Sequence, residues 1–264
     1  MTDRVYAFGD VHGHLEKLEP VLGLIEADME AHGAGPVVSL GDLVDRGPDS
    51  RGVIERLMDW HDPDAGRHVI AGNHDRMFLW FVQAEPKRDP HLRRELEWWD
   101  GRLGGAETLA SYGVRNAMGR RIAAVHEEAL GVVPRTHLDW IDSLPLFLEL
   151  SPAGVPHLFV HAGLRPGVPL EDQSEEDLVW IRGGFDDYAG PHPFLVVHGH
   201  TPHDAATHHG NRVALDTGAA FGGPLTAAVF EGGRAFALSP DGGRVPLDPP
   251  PGWERPDAVG VRPL

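Results

Sequence analysis

Residues 36–47 of the sequence read PVVSLGDLVDRG, a short apolar run that ends in a glycine and a polar cluster. The run at 36–40 has the length and the Val and Leu content of a buried strand. The same order occurs at residues 4–13, RVYAFGDVHG, and at residues 67–75, RHVIAGNHD. Each of the three stretches therefore predicts a strand that ends beside charged or amide side chains.

Helical patterns follow each of these strands. Residues 14–32, 49–60 and 73–83 carry apolar side chains at spacings of three and four, which is typical of a helix with one buried face. The resulting β-α-β-α-β-α order predicts an α/β fold in which the first sheet is mostly parallel and its crossovers are right-handed.

The second half of the chain returns to short apolar runs, which predict strands at residues 146–150, 156–160, 194–197, 213–215, 225–230 and 234–238. The last three lie close together and predict an antiparallel meander. Residues 86–145 predict a helical insertion within one domain that spans residues 1–239. From residue 240 prolines are frequent and apolar residues are few, which predicts a flexible tail over 240–264.

Composition narrows the class of protein. The 264 residues include 23 Lys and Arg against 40 Asp and Glu, a formal net charge of −17, which argues against a nucleic-acid partner. There is no cysteine, so disulfides and thiolate metal sites are excluded and any metal must use nitrogen and oxygen ligands. Without a signal peptide or an apolar run of about eighteen residues, we expect a cytoplasmic protein with no membrane partner.

The polar clusters supply the chemistry. The carboxyl ends of strands in open α/β sheets are where ligands bind, and two later strands end in the same way, at His161 and at His198-Gly199-His200. The side chains brought together in this way offer oxygen and imidazole nitrogen: Asp10, His12, Asp42, Asn73, His161 and His200. This set suits two divalent cations that share one carboxylate. Such a pair can bind the attacking and leaving oxygens of an in-line phosphoryl displacement. Arg46 is a natural partner for phosphate, and His74 is a candidate proton donor.

Five motifs in this order resemble the calcineurin-like metallophosphoesterases, and within them the bacterial and phage branch of the PPP serine/threonine phosphatases, which includes symmetrical diadenosine tetraphosphatases. They are Asp10-x-His12-Gly13, Gly41-Asp42-x-x-Asp45-Arg46-Gly47, Gly72-Asn73-His74-Asp75, His161-Ala162-Gly163 and Gly199-His200-Thr201. The resemblance implies a two-sheet β-sandwich flanked by helices, with four layers in the order αββα and the metals at the strand ends.

The resemblance also implies a role for each motif residue. Asp10 and His12 would bind the first metal, with Asp42 bridging. Asn73, His161 and His200 would complete the second site. Both ions would be divalent, with manganese expected and iron or zinc as alternatives. Arg46 and Asn73 would hold the phosphate, and His74 would be the general acid, oriented by Asp45.

Several residues are not placed by a motif. A second arginine for the phosphate is expected, and Arg182 is preferred over its rival Arg165. Asp216 and Phe221 are further candidates for the border of the cleft. Of the adjacent Trp98 and Trp99, we expect one in the core and one partly exposed.

The expected activity is hydrolysis of phosphomonoesters by in-line attack of a metal-bridging hydroxide, with phosphoserine and phosphothreonine in proteins as substrates. Symmetrical hydrolysis of diadenosine tetraphosphate is the alternative, and arginines of the insertion are available for a polyphosphate: Arg93, Arg94, Arg102, Arg115, Arg120 and Arg121. An inactive phosphoryl-binding module is the alternative from another class. The sequence carries no indication of the oligomeric state.

Overall fold

The computed structural model describes residues 3–253, which form two β-sheets. The strands are β1 (Arg4–Phe8), β2 (Val37–Ser39), β3 (Arg67–Val69), β4 (Phe147–Leu150), β5 (His157–Val160), β6 (Leu195–His198), β7 (Thr207–His208), β8 (Arg212–Ala214), β9 (Ala227–Glu231), β10 (Arg234–Leu238) and β11 (Arg244–Leu247). The six-stranded sheet has the order β11-β10-β9-β1-β2-β3, and the five-stranded sheet has the order β4-β5-β6-β8-β7.

The helices are α1 (Leu15–His32), α2 (Ser50–Trp60), α3 (Asn73–Phe81), α4 (Gly105–Ser111), α5 (Ile122–Val132), α6 (Arg135–Ser143) and α7 (Glu175–Trp180). Side-chain caps fix two of their starts. The carboxylate of Asp49 accepts from the Gly52 amide before α2, and the Ser174 hydroxyl accepts from the Asp177 amide before α7, so each satisfies an amide that has no partner within its helix.

The alternation of side chains along β1 explains the layers. Val5 and Ala7 point into the apolar layer between the two sheets, where they meet residues such as Phe159 and Val213 of the second sheet. Tyr6 and Phe8 point the other way, into the core under α1, α2 and α3. The helix α7 covers the outer face of the second sheet. The expected fold of two sheets flanked by helices, with the layers αββα, is confirmed.

The parallel pairing of β1 with β2 and of β2 with β3 is confirmed, and so is the antiparallel pairing of β9 with β10, but the meander is wrong in its first strand. Of the residues predicted for that strand, Val213 and Ala214 lie in β8, which pairs in parallel with β6 in the second sheet, whereas β9 and β10 pair in the first. The chain crosses between the sheets through a loop in which Gly218 and Gly222 adopt left-handed backbone. Closeness in sequence favoured a hairpin, and burial of β8 in the second sheet overrides it.

The flexible tail expected from residue 240 is also wrong in part. The strand β11 pairs antiparallel with β10. Arg244 lies 2.6 Å from the Asp28 carboxylate and 2.7 Å from that of Glu231. These ion pairs attach the segment to α1 and β9, and its proline content did not reveal them. Residues 254–264 lie outside the described part of the chain.

Residues 86–145 hold α4, α5 and α6. Their apolar side chains, among them Val125, Leu138 and Ile141, join the same core that α1, α2 and α3 cover. The segment therefore packs on the helical face of the first sheet, beside the ends of β1, β2 and β3. Within residues 3–253 no helix has the length and apolar character that crossing a membrane requires.

Candidate metal centre

The residues expected to bind metal meet at one edge of the two sheets. Asp10, Asp42 and Asn73 follow the parallel strands β1, β2 and β3, while His161 and His200 follow β5 and β6. Parallel strands bring their carboxyl ends to a common edge. All six members of the ligand set are buried: Asp10, His12, Asp42, Asn73, His161 and His200.

The backbone at this edge is unusual. Non-glycine residues with positive φ cluster here, among them His12, Asp42 and His200, with φ of 46°, 49° and 67°. Left-handed backbone costs about 1 kcal/mol or more for an L-residue and persists where the surrounding structure enforces it. A side chain at Gly199 would come within 2.0 Å of the Asp10 carboxylate, so only glycine lets the strand end approach that close.

Asp42 is at the centre of the ligand set. One of its oxygens lies 3.4 Å from Nε2 of His12, and the other lies 3.4 Å from Nε2 of His161. The possible ligand atoms form two groups, and within each group they lie within 4.8 Å of one another. One group is His12, Asp42 and His74, and the other is Asp42, His161 and His200. The shared member is Asp42, which is the position that the bridging role requires.

The imidazoles of His12 and His161 are turned toward this centre. Nδ1 of His12 donates to the Val44 carbonyl and Nδ1 of His161 donates to the Leu40 carbonyl, each at 2.8 Å. A neutral ring that donates from Nδ1 presents a lone pair at Nε2. Both Nε2 atoms are therefore prepared as metal ligands in the way that backbone carbonyls prepare them in metal sites.

The contact between His161 and Asn73 fits a cation. Nε2 of His161 lies 3.0 Å from Oδ1 of Asn73. Burial lowers the pKa of His161 to about 4, so the ring is neutral and both facing atoms carry lone pairs. Two acceptors at this distance repel one another unless a positive ion lies between them. A divalent cation satisfies both at once.

Three buried carboxylates add to the demand for positive charge. Burial, followed by the charges of Asp216 and Asp42, holds the pKa of Asp10 well above its usual range. Burial raises the pKa of Asp42 to about 7, and burial also raises that of Asp216. Because uncompensated buried carboxylates are costly, this donor set fits a pair of divalent cations. Asp216 thus lies beside the ligand set, and the sequence analysis gave it as a candidate for the border of the cleft.

His74 and Asp45 form a closely coupled pair beside the centre. Nδ1 of His74 lies 2.6 Å from Oδ2 of Asp45. On the other side of the ring, Arg46 donates from Nη2 to Nε2 of His74 at 3.0 Å and also reaches Nε2 of His12. Burial, followed by the Arg46 charge, lowers the pKa of His74 well below its usual range. Phe221 lies over the Arg46 guanidinium at 5.1 Å.

The structure separates the two candidate arginines. Arg182 donates from Nε to Nε2 of His200 at 3.2 Å, whereas Arg165 is an exposed residue that pairs with Asp177 at 2.9 Å. A cavity of about 260 Å³ opens at the site. Its walls are Asp42, Arg46, Asn73, His74, His91, Leu92, Arg93, Leu96, Leu103, Trp180, Arg182 and His200.

One wall of the cavity comes from the insertion. Asp89 is buried and accepts from Arg76 at 2.9 Å and from Trp180 at 3.0 Å, which fixes the turn that carries His91 and Arg93. Composition gave no sign of this turn, because its residues are ordinary for a surface loop.

Two further side chains of the insertion contact the site. Trp98 donates from Nε1 to Asp45 at 2.7 Å, and the Thr108 hydroxyl donates to the other Asp45 oxygen at 2.7 Å. Trp98 is buried and Trp99 is half-buried, as expected for the pair. The sequence analysis missed both contacts with Asp45, and no local motif marks them.

Known proteins resemble the chain over most of its length. The family profile described as calcineurin-like phosphoesterase matches residues 3–230. An asymmetrical bis(5'-nucleosyl)-tetraphosphatase of Oceanobacillus iheyensis is 26% identical over 246 residues, covering 86% of this chain and 88% of the relative. Serine/threonine-protein phosphatase 1 of Salmonella typhimurium is 29% identical over 239 residues, covering 86% and 92%. A symmetrical bis(5'-nucleosyl)-tetraphosphatase of Neisseria meningitidis is 25% identical over 272 residues, also covering 86% and 92%.

Proposed function

The chain belongs to the calcineurin-like phosphoesterase family, and we propose that it removes phosphate from phosphoserine and phosphothreonine in proteins. A phosphoesterase of this family is a hydrolase with a dinuclear centre of divalent metals, so the alternative of an inactive phosphoryl-binding module is set aside. The observation that carries the proposal is the single cavity in which Asp42, His74 and the arginines Arg46 and Arg182 converge.

The ligand set would hold the two ions as the motifs imply. Asp10, His12 and Asp42 would bind one, and Asp42, Asn73, His161 and His200 would bind the other. Two divalent ions supply Lewis acidity and lower the pKa of water, so that a nucleophile forms near neutral pH. Imidazole and carboxylate ligands without thiolate suit manganese, and also iron or zinc.

The phosphoryl group would be held by charge and by geometry. Arg46 and Arg182 line the same cavity as Asn73. A guanidinium offers paired N–H groups that match two phosphoryl oxygens. Because Arg46 is held under Phe221 and Arg182 against His200, both approach the cavity with restricted freedom. They would stabilise the equatorial charge that develops during in-line displacement.

His74 would deliver the proton to the leaving oxygen. Asp45 accepts the hydrogen bond from Nδ1, which leaves Nε2 on the side of the cavity. This arrangement orients the ring, as a carboxylate partner does in other acid–base pairs. The leaving serine or threonine alkoxide is a poor leaving group without a proton, so a positioned acid is needed.

The arginines of the insertion support a phosphomonoester over a polyphosphate. Of the six that the sequence offered, only Arg93 lines the cavity. Arg102 pairs with Asp100, and Arg120 pairs with Glu128. Their side chains are directed to neighbouring acids, and the cavity of about 260 Å³ has room for a phosphoryl group and a short side chain.

A second candidate is the hydrolysis of diadenosine tetraphosphate. The sequence analysis gave this alternative with symmetrical cleavage. Arg93 supports it, because a third cation on the cavity wall would help to bind a chain of phosphates. Relatives with both modes of tetraphosphate cleavage in their names support it as well.

Hydrolysis by manganese-loaded protein decides between the two, followed as phosphate released from the peptide and as nucleotides formed from diadenosine tetraphosphate. A phosphoserine and phosphothreonine peptide would be compared with diadenosine tetraphosphate, with Asp42→Asn as the blank. A higher kcat/KM for the peptide supports the proposal. A higher value for the dinucleotide selects the second candidate, and its products, two ADP or ATP with AMP, give the mode of cleavage. Silence on both substrates with metal bound would refute both.

A further inference from the structure

We infer that Trp98 and Thr108 of the helical insertion are positioning residues for the general-acid pair, and that they act by fixing the Asp45 carboxylate against His74. The inference rests on the proposed acid role of His74. Neither residue lines the cavity of about 260 Å³, so neither is expected to touch the substrate. Their effect is exerted through Asp45.

The Asp45 carboxylate is enclosed by donors. The side chain is fully buried. Its Oδ2 accepts from Nδ1 of His74 at 2.6 Å and from Nε1 of Trp98 at 2.7 Å. Its Oδ1 accepts from the Thr108 hydroxyl at 2.7 Å. With both oxygens engaged, the carboxylate plane is fixed, and the position from which it meets His74 is fixed with it.

The insertion holds the backbone of the same loop. The Asp45 amide donates to Thr108 Oγ1 at 2.8 Å and to Ser50 Oγ at 3.1 Å. Because the Thr108 hydroxyl hydrogen is committed to Asp45 Oδ1, the Ser50 hydroxyl is left to donate across the 3.0 Å between the two hydroxyls. The Arg46 amide donates to the Gly104 carbonyl at 3.3 Å. Residues 98–108 therefore support both Asp45 and the phosphate-binding Arg46.

The physical reason is the cost of a buried carboxylate. Burial raises the pKa of Asp45, and the hydrogen bonds from Thr108 and Trp98 oppose that rise. Donors to a carboxylate favour its charged form, and a charged Asp45 carboxylate held in one orientation holds the Nδ1–H of His74 in one orientation as well. Without the Trp98 N–H, Oδ2 keeps only His74 as a partner, and the Thr108 hydroxyl at Oδ1 is left as the single side-chain donor from the insertion.

Trp98 is rigid enough for this role, and Trp99 offers a matched control. The Trp98 ring packs against Phe78 at 5.7 Å and against Phe81 at 4.9 Å. A side chain at Gly105 would come within 2.5 Å of that ring. Trp99 also packs on Phe81, at 5.5 Å, but it is half-buried and makes no hydrogen bond to Asp45.

The test uses the leaving group, because a merely structural defect would slow all esters alike. Trp98→Phe keeps an aromatic side chain and removes the Nε1–H together with part of the indole, and Trp99→Phe makes the same change of ring next to it. We expect its kcat on a phosphoserine peptide to fall by about tenfold, the value of a hydrogen bond to a charged group. On p-nitrophenyl phosphate, whose leaving group needs no proton, the fall should be less than about twofold. Trp99→Phe should match the wild type on both esters.

Two further variants keep the inference falsifiable. Thr108→Val removes the donor to Oδ1 and should show the same split between esters, whether or not Trp98→Phe folds. In a His74→Asn background, Trp98→Phe should have no further effect, because a residue that acts through His74 cannot act in its absence.

The contrary results are distinct. Equal losses on both esters, or an undiminished Trp98→Phe effect in the His74→Asn background, would overturn the positioning role. Wild-type protein that binds manganese but hydrolyses neither ester would instead overturn the proposed function. Metal content by mass spectrometry should be unchanged in both Trp98→Phe and Thr108→Val, and its loss would assign these residues to the stability of the metal centre.

Discussion

Nδ1 of His74 lies 2.6 Å from Oδ2 of Asp45, and both side chains are buried beside the ligand set. Asp45 lies in the loop after β2 and His74 lies in the first turn of α3, and 29 positions separate them. Two consecutive β-α units are thus joined at the point where a proton would be delivered.

His74→Asn should slow the hydrolysis of a phosphoserine peptide by about 100-fold or more, because a positioned acid contributes about 10²–10⁴. The loss on p-nitrophenyl phosphate should be much smaller. Steady-state kinetics on both esters, with metal analysis of the same sample, provide the measurement. His74 belongs to one of the groups of possible ligand atoms, so loss of metal in the variant would make it a ligand and not the acid.

Asp42→Asn should lower both metal content and activity. The carboxylate lies 3.4 Å from His12 on one side and from His161 on the other, and an amide there lacks the charge that balances two cations. We expect kcat to fall by more than about 100-fold. Asp49→Asn is the control, since asparagine caps a helix as well as aspartate. Full metal occupancy in Asp42→Asn would contradict the bridging role.

Arg182→Ala should raise KM for the phosphopeptide by about tenfold, because a charge-assisted hydrogen bond to phosphate is lost. Arg165→Ala should leave KM unchanged, since Arg165 pairs with Asp177 at the surface. Both are measured by initial rates at saturating manganese. An effect confined to Arg165→Ala would transfer the second phosphate contact to that residue.

Gly104→Ala should destabilise the protein more than Gly113→Ala does. Both glycines have left-handed backbone, with φ of 92° and 97°, so both substitutions carry a similar strain of about 1 kcal/mol. A side chain at Gly104 would come within 2.1 Å of the Arg46 amide, whereas nothing lies within 4 Å at Gly113. We expect about 2–4 kcal/mol for Gly104→Ala. Equal losses in the free energy of unfolding, measured in urea, would show that the loop moves to accept the new side chain.

His198 should make the protein sensitive to acid. Burial lowers the pKa of its ring from 6.5 to about 3, so between these values the unfolded chain binds more protons than the folded one. Stability is therefore present above pH 6.5 and is lost as the pH falls. Between pH 7.5 and 5.5, metal-free wild type should lose about 1.4 kcal/mol more than His198→Gln. The half-buried His203, changed in His203→Gln, is the control for urea unfolding. Parallel losses in wild type and His198→Gln would reject the assignment.

Local patterns were enough to predict the parallel pairing of β1, β2 and β3 and the convergence of the expected ligand residues at the ends of strands. Each motif is a strand followed by a turn, and parallel strands place their ends together whatever the distant chain does. The calcineurin-like family was recognisable for the same reason, because its motifs are short and lie at strand ends.

Non-local pairing decided the features that the sequence did not reveal. The strand β8 joins β6 because it is buried in the second sheet, and β11 is attached because Arg244 meets Asp28 from α1. Trp98 and Trp99 are adjacent residues of the same type, and only the loop geometry turns one of them toward Asp45. Such choices depend on contacts between distant segments, which periodicity and composition do not encode.

The hydrogen bonds of Trp98 and Thr108 to Asp45 span 53 and 63 positions of the chain. A chimera that carries the insertion of a relative, or a shortened enzyme without the insertion, would keep every member of the ligand set. In either protein Asp45 would meet His74 without the hydrogen bonds from Trp98 and Thr108. The insertion and the catalytic scaffold therefore have to be exchanged together. Exchange between relatives should succeed only at junctions outside residues 98–108.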